Sequence, residues 1–188
     1  EKIAKLPPRE QMRLVNAKLL EIHDVSRASL RKALLHSRYE TAEGKWVKAG
    51  CQAGFGAVRF IHPYRGLPLR VLSLFNGRIR DLSPLAGMPL ENLSLAGTDV
   101  RDLRPLAGMP LKVLSLRGCP LSDISPLRGM RLTTLVIEGT QVDDLTPLSG
   151  MPLEVLRLSR TKVSNLSPLE GMPLREISFS ETPVSDLS

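Results

Sequence analysis

The sequence predicts an α/β solenoid: a curved stack of short parallel strands, closed behind by tight turns and in front by a helical cap. Three observations carry that prediction. From Pro68 onward the chain repeats itself every 21 residues. Within each unit two aliphatic residues stand two apart, the spacing that puts both on one side of a strand. Hydrophobic residues make up 42% of the 188 positions while aromatic ones make up only 4%, so the core is aliphatic. A globular core leans on large rings for bulk. A core of stacked Leu, Ile and Val layers does not.

The units begin at Pro68, Pro89, Pro110, Arg131, Pro152 and Pro173. Their shared wording is Pro-Leu-x-x-Leu-x-Leu-x-x-Thr-x-Val-x-Asp-Leu-Ser-Pro-Leu-x-Gly-Met. The strand comes first. Its inward pairs are Leu72 and Leu74, Leu93 and Leu95, Leu114 and Leu116, Leu135 and Ile137, Leu156 and Leu158, and Ile177 and Phe179. One strand cannot bury that side alone, whereas stacked units share one continuous core.

A turn follows, re-entering the core at Ile79, Val100, Leu121, Val142, Val163 and Val184. Ser-Pro then signals a helix start, with the hydroxyl as acceptor for free N–H groups and Pro at the first helical position. Gly87, Gly108, Gly129, Gly150 and Gly171 supply stops at positive φ. Only one tight 3₁₀ turn fits between start and stop. Met-Pro next forces an extended backbone into the following strand.

This wording resembles the leucine-rich-repeat family, and within it the short bacterial, internalin-like class. The resemblance covers residues 67–188. Repeats with the Ser-Pro-Leu-x-Gly-Met-Pro-Leu wording also occur in large bacterial multidomain proteins, some with a Ser/Thr kinase domain. The resemblance implies a binding module, with an accessory domain of such a signalling enzyme as the alternative. One departure stands out. The Asn that usually closes the strand is replaced by Thr98, Thr140, Thr161 and Thr182, by Cys119 and by Gly77. A Thr hydroxyl bonds the neighbouring backbone less completely than an amide.

Ahead of the array, residues 1–66 form a basic cap. They carry 13 Lys/Arg against 6 Asp/Glu, whereas residues 67–188 carry 13 of each, so the chain's net charge of +7 belongs to the cap. Residues 9–22 read as an amphipathic helix after Pro7 and Pro8, and Ser26 to about Arg38 as a second. Residues 45–49 and 56–61 read as short strands around a glycine-rich turn. The role expected of this region is to seal the open end of the first layer. The sixth unit stops at Ser188 before its Pro-Leu-x-Gly-Met segment, which predicts a piece of a larger polypeptide.

The candidate site is the outward side of the sheet. One column runs Ser73, Ser94, Ser115, Val136, Arg157, Ser178, flanked by Val71, Asn92, Val113, Thr134, Val155, Glu176 and by Phe75, Ala96, Arg117, Glu138, Ser159, Ser180. Six strands about 4.8 Å apart span roughly 24 Å, room for a peptide or a small protein surface. The expected contacts to a protein or peptide partner are Phe75, Asn92, Arg117, Glu138, Arg157, Arg160 and Glu176, with the arginines as anchors. The alternative is a solvated network in which Glu138 pairs with Arg117 and Arg157, worth about 0–1 kcal/mol per exposed pair.

Other columns have two readings each. Met88, Met109, Met130, Met151 and Met172 are core fillers or an adaptable surface. Asp81, Asp102, Asp123, Asp144 and Asp186, with Asn165, cap turns or bind calcium. Residues 27–65 are a solvated cap or a nucleic-acid contact through Arg27, Arg31, Lys32, Arg38, Lys45, Lys48, Arg59 and Arg65.

Catalysis finds little support. His23, His36 and His62 lie outside the repeats and near no nucleophile motif, and Cys51 with His62 has nothing to bring the two together. Gly50, Gly54 and Gly56 lack phosphate-loop spacing. The expectation is a non-enzyme without cofactor or metal. Two separated cysteines, Cys51 and Cys119, fit reduced thiols. No stretch approaches the ~20 apolar residues of a membrane span, and no secretory signal is visible, so a cytoplasmic location is expected.

Overall fold

The computed structural model describes residues 38–40, 46–48, 61 and 69–185. Two strands precede the array, β1 (Arg38–Glu40) and β2 (Trp46–Lys48), paired antiparallel. Six more follow: β3 (Val71–Ser73), β4 (Asn92–Ser94), β5 (Val113–Ser115), β6 (Thr134–Val136), β7 (Val155–Arg157) and β8 (Glu176–Ser178). These six form one parallel sheet in sequence order.

Neighbouring strands pair in a register of one whole unit, Val71 with Asn92, Asn92 with Val113, and onward to Val155 with Glu176. The 21-residue period is therefore the register. A shift of one residue would turn every leucine outward. The ladder continues past each strand, where the Leu74, Leu95, Leu116, Ile137 and Leu158 N–H groups donate to the next unit's carbonyl, each at 2.8 Å.

Behind the sheet lie single 3₁₀ turns at Ser83–Leu85, Arg104–Leu106, Ser125–Leu127, Thr146–Leu148 and Ser167–Leu169, as the Pro-to-Gly spacing requires. The glycines after them adopt positive φ, 71° at Gly87 and 74° at Gly129. The Ser hydroxyl, however, does not cap these turns. Leu or Ile occupies the capping position, and no side-chain bond comes from it. The cap comes from the acidic column two residues before the turn. Asp81, Asp102, Asp123, Asp144 and Asn165 accept the N–H of Ser83, Arg104, Ser125, Thr146 and Ser167 at 2.8–2.9 Å. Ser is already the first helical residue, so its hydroxyl lies beyond the N–H groups it was expected to serve.

The core is one continuous cluster. The second unit contributes Leu90, Leu93, Leu95, Val100, Leu103, Leu106 and Met109, all buried; the third and fourth units repeat the layer, and it opens toward the end, where Leu166, Met172, Leu174, Phe179 and Val184 are only partly buried. Met88, Met109, Met130 and Met151 are buried with them, so the methionine column fills core. Each such side chain taken from water stabilises by about 1.5–3 kcal/mol.

Thr98, Thr140, Thr161 and Thr182 each donate a hydroxyl bond of 2.6–2.7 Å to the carbonyl three residues earlier. At Cys119 the thiol takes the same place, 3.1 Å from the Leu95 carbonyl and 3.4 Å from the Thr98 hydroxyl. Burial pushes this thiol's pKa up.

At the front, Ile61 is buried and joins the core, and β1 lies beside β3. One expectation changes here. Arg38 belongs to a strand and not to a helix end, and it lies in β1, the partner of β2. Of residues 56–61 only Ile61 is described, and it is not in a strand. The helix expected over 9–22, the rest of the Ser26–Arg38 helix, the histidines and Cys51 lie outside the described residues.

Candidate partner-binding face

Strand parity builds this face. In β3 to β7 the middle residue of each triplet is buried and the residues on either side point away from the core. Val71, Ser73 and Phe75 therefore project outward, and the same positions of the next five units extend three columns across the sheet. The sequence-predicted residues Phe75, Asn92, Arg117, Glu138, Arg157 and Glu176 all lie in these columns. Arg160 does not. It sits three residues past β7, in the turn where the chain leaves the sheet, with φ 58°.

The face divides by chemistry. Over β3 to β5 its floor is Val71, Asn92, Val113, Ser73, Ser94 and Ser115, small and uncharged. Phe75, 47% exposed, stands at the end of it. From Arg117 onward the charges appear. Arg117 pairs with Glu138 at 3.3 Å and Arg157 with Glu176 at 2.6 Å. The alternative network, with Glu138 shared between Arg117 and Arg157, takes the form of two separate pairs. Arg157 reaches across to the first residue of β8, one unit on, where it makes two hydrogen bonds to one Glu176 oxygen. All four side chains stay partly in water, so neither pair stabilises the fold by more than about 1 kcal/mol. Among the described residues, Arg160 has no ion pair.

Two features escaped the sequence reading. The first is a charged ladder in the column just before the strands. Glu91 accepts from both Arg70 and Lys112, and Glu154 lies 3.8 Å from Arg175. The Lys112 and Arg70 bonds hold the Glu91 carboxyl below its ordinary pKa. The alternation Arg70, Glu91, Lys112 was available as a signal at the unit spacing.

The second is the left-handed turn after each strand. Gly97, Gly118 and Gly139 fill it in three units, while Asn76, Arg160 and Glu181 adopt φ of 50°, 58° and 57° in the others. That column was also readable, because glycine and asparagine favour this conformation and Arg and Glu do not.

The acidic column is engaged at backbone N–H groups. Side-chain and backbone bonds from Arg104, Ser125 and Thr146 lower the Asp102, Asp123 and Asp144 carboxyls respectively. Asp186 lies outside the described residues, as do all of 27–65 except the two strands and Ile61. Among the described residues, no helix is long and apolar enough to cross a membrane.

No protein-family model matches the sequence, and no curated protein matches it either. Solved structures do. Internalin C2 of Listeria monocytogenes is similar, at TM-score 0.67 and 32% identity, over 72% of this chain and 66% of that one. The internalin inlF of the same organism is similar in fold, at TM-score 0.68 and 23% identity, over 73% of this chain and 42% of that one. The chain thus spans about two-thirds of the first and under half of the second.

Proposed function

From the premise that the chain is a leucine-rich-repeat protein of the internalin-like class, we propose that it is a protein-interaction module whose partner lies on the outer face of β3 to β8. The observation that carries this reading is the face itself. Six strands in one register present three unbroken columns, half small and smooth, half charged. A rigid surface of that kind loses little conformational freedom on binding. Phe75, Asn92, Arg117, Glu138, Arg157 and Glu176 are the proposed contacts, with Arg160 at the margin.

The test compares recovery of partners from source-cell lysate by the native chain and by a variant carrying Arg117→Glu, Arg157→Glu and Arg160→Glu. Both are first checked for matching circular dichroism. A protein recovered only by the native chain supports the reading. Identical recovery by both overturns it. A place within a larger bacterial protein, including one with a kinase domain, is decided by the gene sequence on either side. Contact with nucleic acid through residues 27–65 predicts steep loss of affinity with added salt.

A further inference from the structure

Arg160 and Glu181 occupy neighbouring units at one position, the left-handed turn that closes each strand. Three of the other units place glycine there, at φ of 67–69°, and the remaining one places Asn76. Glycine adopts this conformation freely, and Asn tolerates it. For Arg and Glu the Cβ crowds the following carbonyl, so each is held against its backbone preference. A residue kept in a strained conformation that a neighbouring unit relieves with glycine points to a need for its side chain.

Two further observations say what that need is. Both side chains are exposed, and among the described residues neither makes an ion pair, whereas Arg117, Arg157, Glu138 and Glu176 are all internally matched. Both also lie at the margin of the charged half of the face, one strand spacing apart, about 4.8 Å along the stack. An unmatched cation beside an unmatched anion on the rim of a sheet suits a partner segment that carries the complementary doublet.

We infer that Arg160 and Glu181 form a charge-reading doublet for a peptide segment with an Asp or Glu next to a Lys or Arg, the acid meeting Arg160 and the base meeting Glu181. This rests on the proposed binding face and narrows its partner class. The guanidinium suits a carboxylate because its N–H fork matches the two oxygens. The free charges contribute discrimination as well as affinity, since a like charge opposite either residue is repelled.

The inference also predicts a conflict between stability and binding. Replacing both residues with glycine removes the strain and the doublet together. The probe is a random 12-residue peptide library displayed on phage, selected on four immobilised proteins. These are the native chain, Arg160→Gly with Glu181→Gly, Arg160→Glu, and Arg117→Glu with Arg157→Glu.

The expected result has three parts. Peptides enriched on the native chain carry an acid–base doublet. The glycine variant loses that enrichment while its melting temperature rises by roughly 1–4 °C, the relief being partly offset by a more flexible unfolded chain. On Arg160→Glu the acidic residue of the enriched peptides gives way to a basic one.

The inference is overturned if the native chain and the glycine variant enrich the same peptides, or if the glycine variant melts lower than the native chain. Should the doublet be irrelevant while Arg117→Glu with Arg157→Glu abolishes selection, the binding face stands and only the doublet fails. Enrichment on none of the four removes both.

Discussion

At the scale of single residues, hydroxyls and one thiol close the strands. Thr140 is buried and its hydroxyl donates to the Ile137 carbonyl at 2.7 Å. Valine has the same shape without the donor, so Thr140→Val removes one bond and opens no cavity. It costs about 1 kcal/mol, read as a shift in the urea midpoint at constant slope; no shift would mean the hydroxyl bond is energetically idle.

Cys119 fills the same position with sulfur. Desolvation first, and then the charge of Asp99, raise its pKa against the lowering effect of Thr98. The folded protein therefore holds this thiol protonated where an unfolded one ionises. Its contribution to stability is complete below the ordinary thiol value of about 8.5 and is lost as pH rises past that value toward the raised folded one. With Cys51→Ser present to isolate it, Cys119 should not react with a thiol reagent at pH 8 in buffer and should react fully in urea. Rapid modification of the native form would contradict this burial.

At the scale of elements, the 3₁₀ turns show where sequence reasoning reaches and where it stops. Pro and Gly fixed their length, because each constrains φ by itself and needs no neighbour. The cap was harder to assign. Ser before Pro and Asp two residues earlier both offer an oxygen, and only the geometry of so short a turn decides between them. Asn165 makes the same bond as Asp144 does, so the bond needs an oxygen acceptor and not a charge. Asp144→Asn should therefore leave the melting temperature near its native value at pH 7, and Asp144→Ala should lower it.

The carboxyl has a second consequence. Hydrogen bonds from Thr146 depress the pKa of Asp144, and those from Ser125 and Arg104 do the same for Asp123 and Asp102. A depressed carboxylate contributes stability that is present above its unfolded value of about 3.9 and lost as pH falls through the folded one. Native melting temperature should fall on acidification below about pH 4, and a variant with all three changed to Asn should lose part of that dependence; an unchanged acid profile would remove the caps as its cause. On the binding face, the columns were legible from strand parity. The pairing within them was not, because which of two glutamates an arginine reaches depends on rotamers that spacing leaves free.

At the scale of the molecule, energy is shared between adjacent units and not across a single centre. Position along the stack therefore sets the cost of a truncation. Leu135 lies fully buried in the middle, while Ile177, in the sixth unit, is 37% exposed. Leu135→Ala should cost about 2–5 kcal/mol through its cavity. Ile177→Ala leaves a smaller hole in a layer already open to water and should cost less than half as much by the same denaturant measurement.

The one-unit register of the strands is tested by deletion. Deleting residues 131–151 joins Met130 to Pro152 and restores the Met-Pro-Leu wording, so β5 can pair with β7 as it now pairs with β6. The shortened array should fold with a strand signal and a cooperative, lower melting transition. Deleting 131–150 leaves one residue too many between strands, and one turn must absorb it or every inward leucine beyond it changes sides. That protein should melt far lower or without cooperativity. Equal behaviour of the two deletions would mean that the 21-residue register does not hold the stack together. The longer deletion also removes Glu138, sets Arg117 beside Ser159 without its ion-pair partner, and shortens the charged half of the face by one strand. If binding needs both halves at their native spacing, the folded deletion variant should lose the partner.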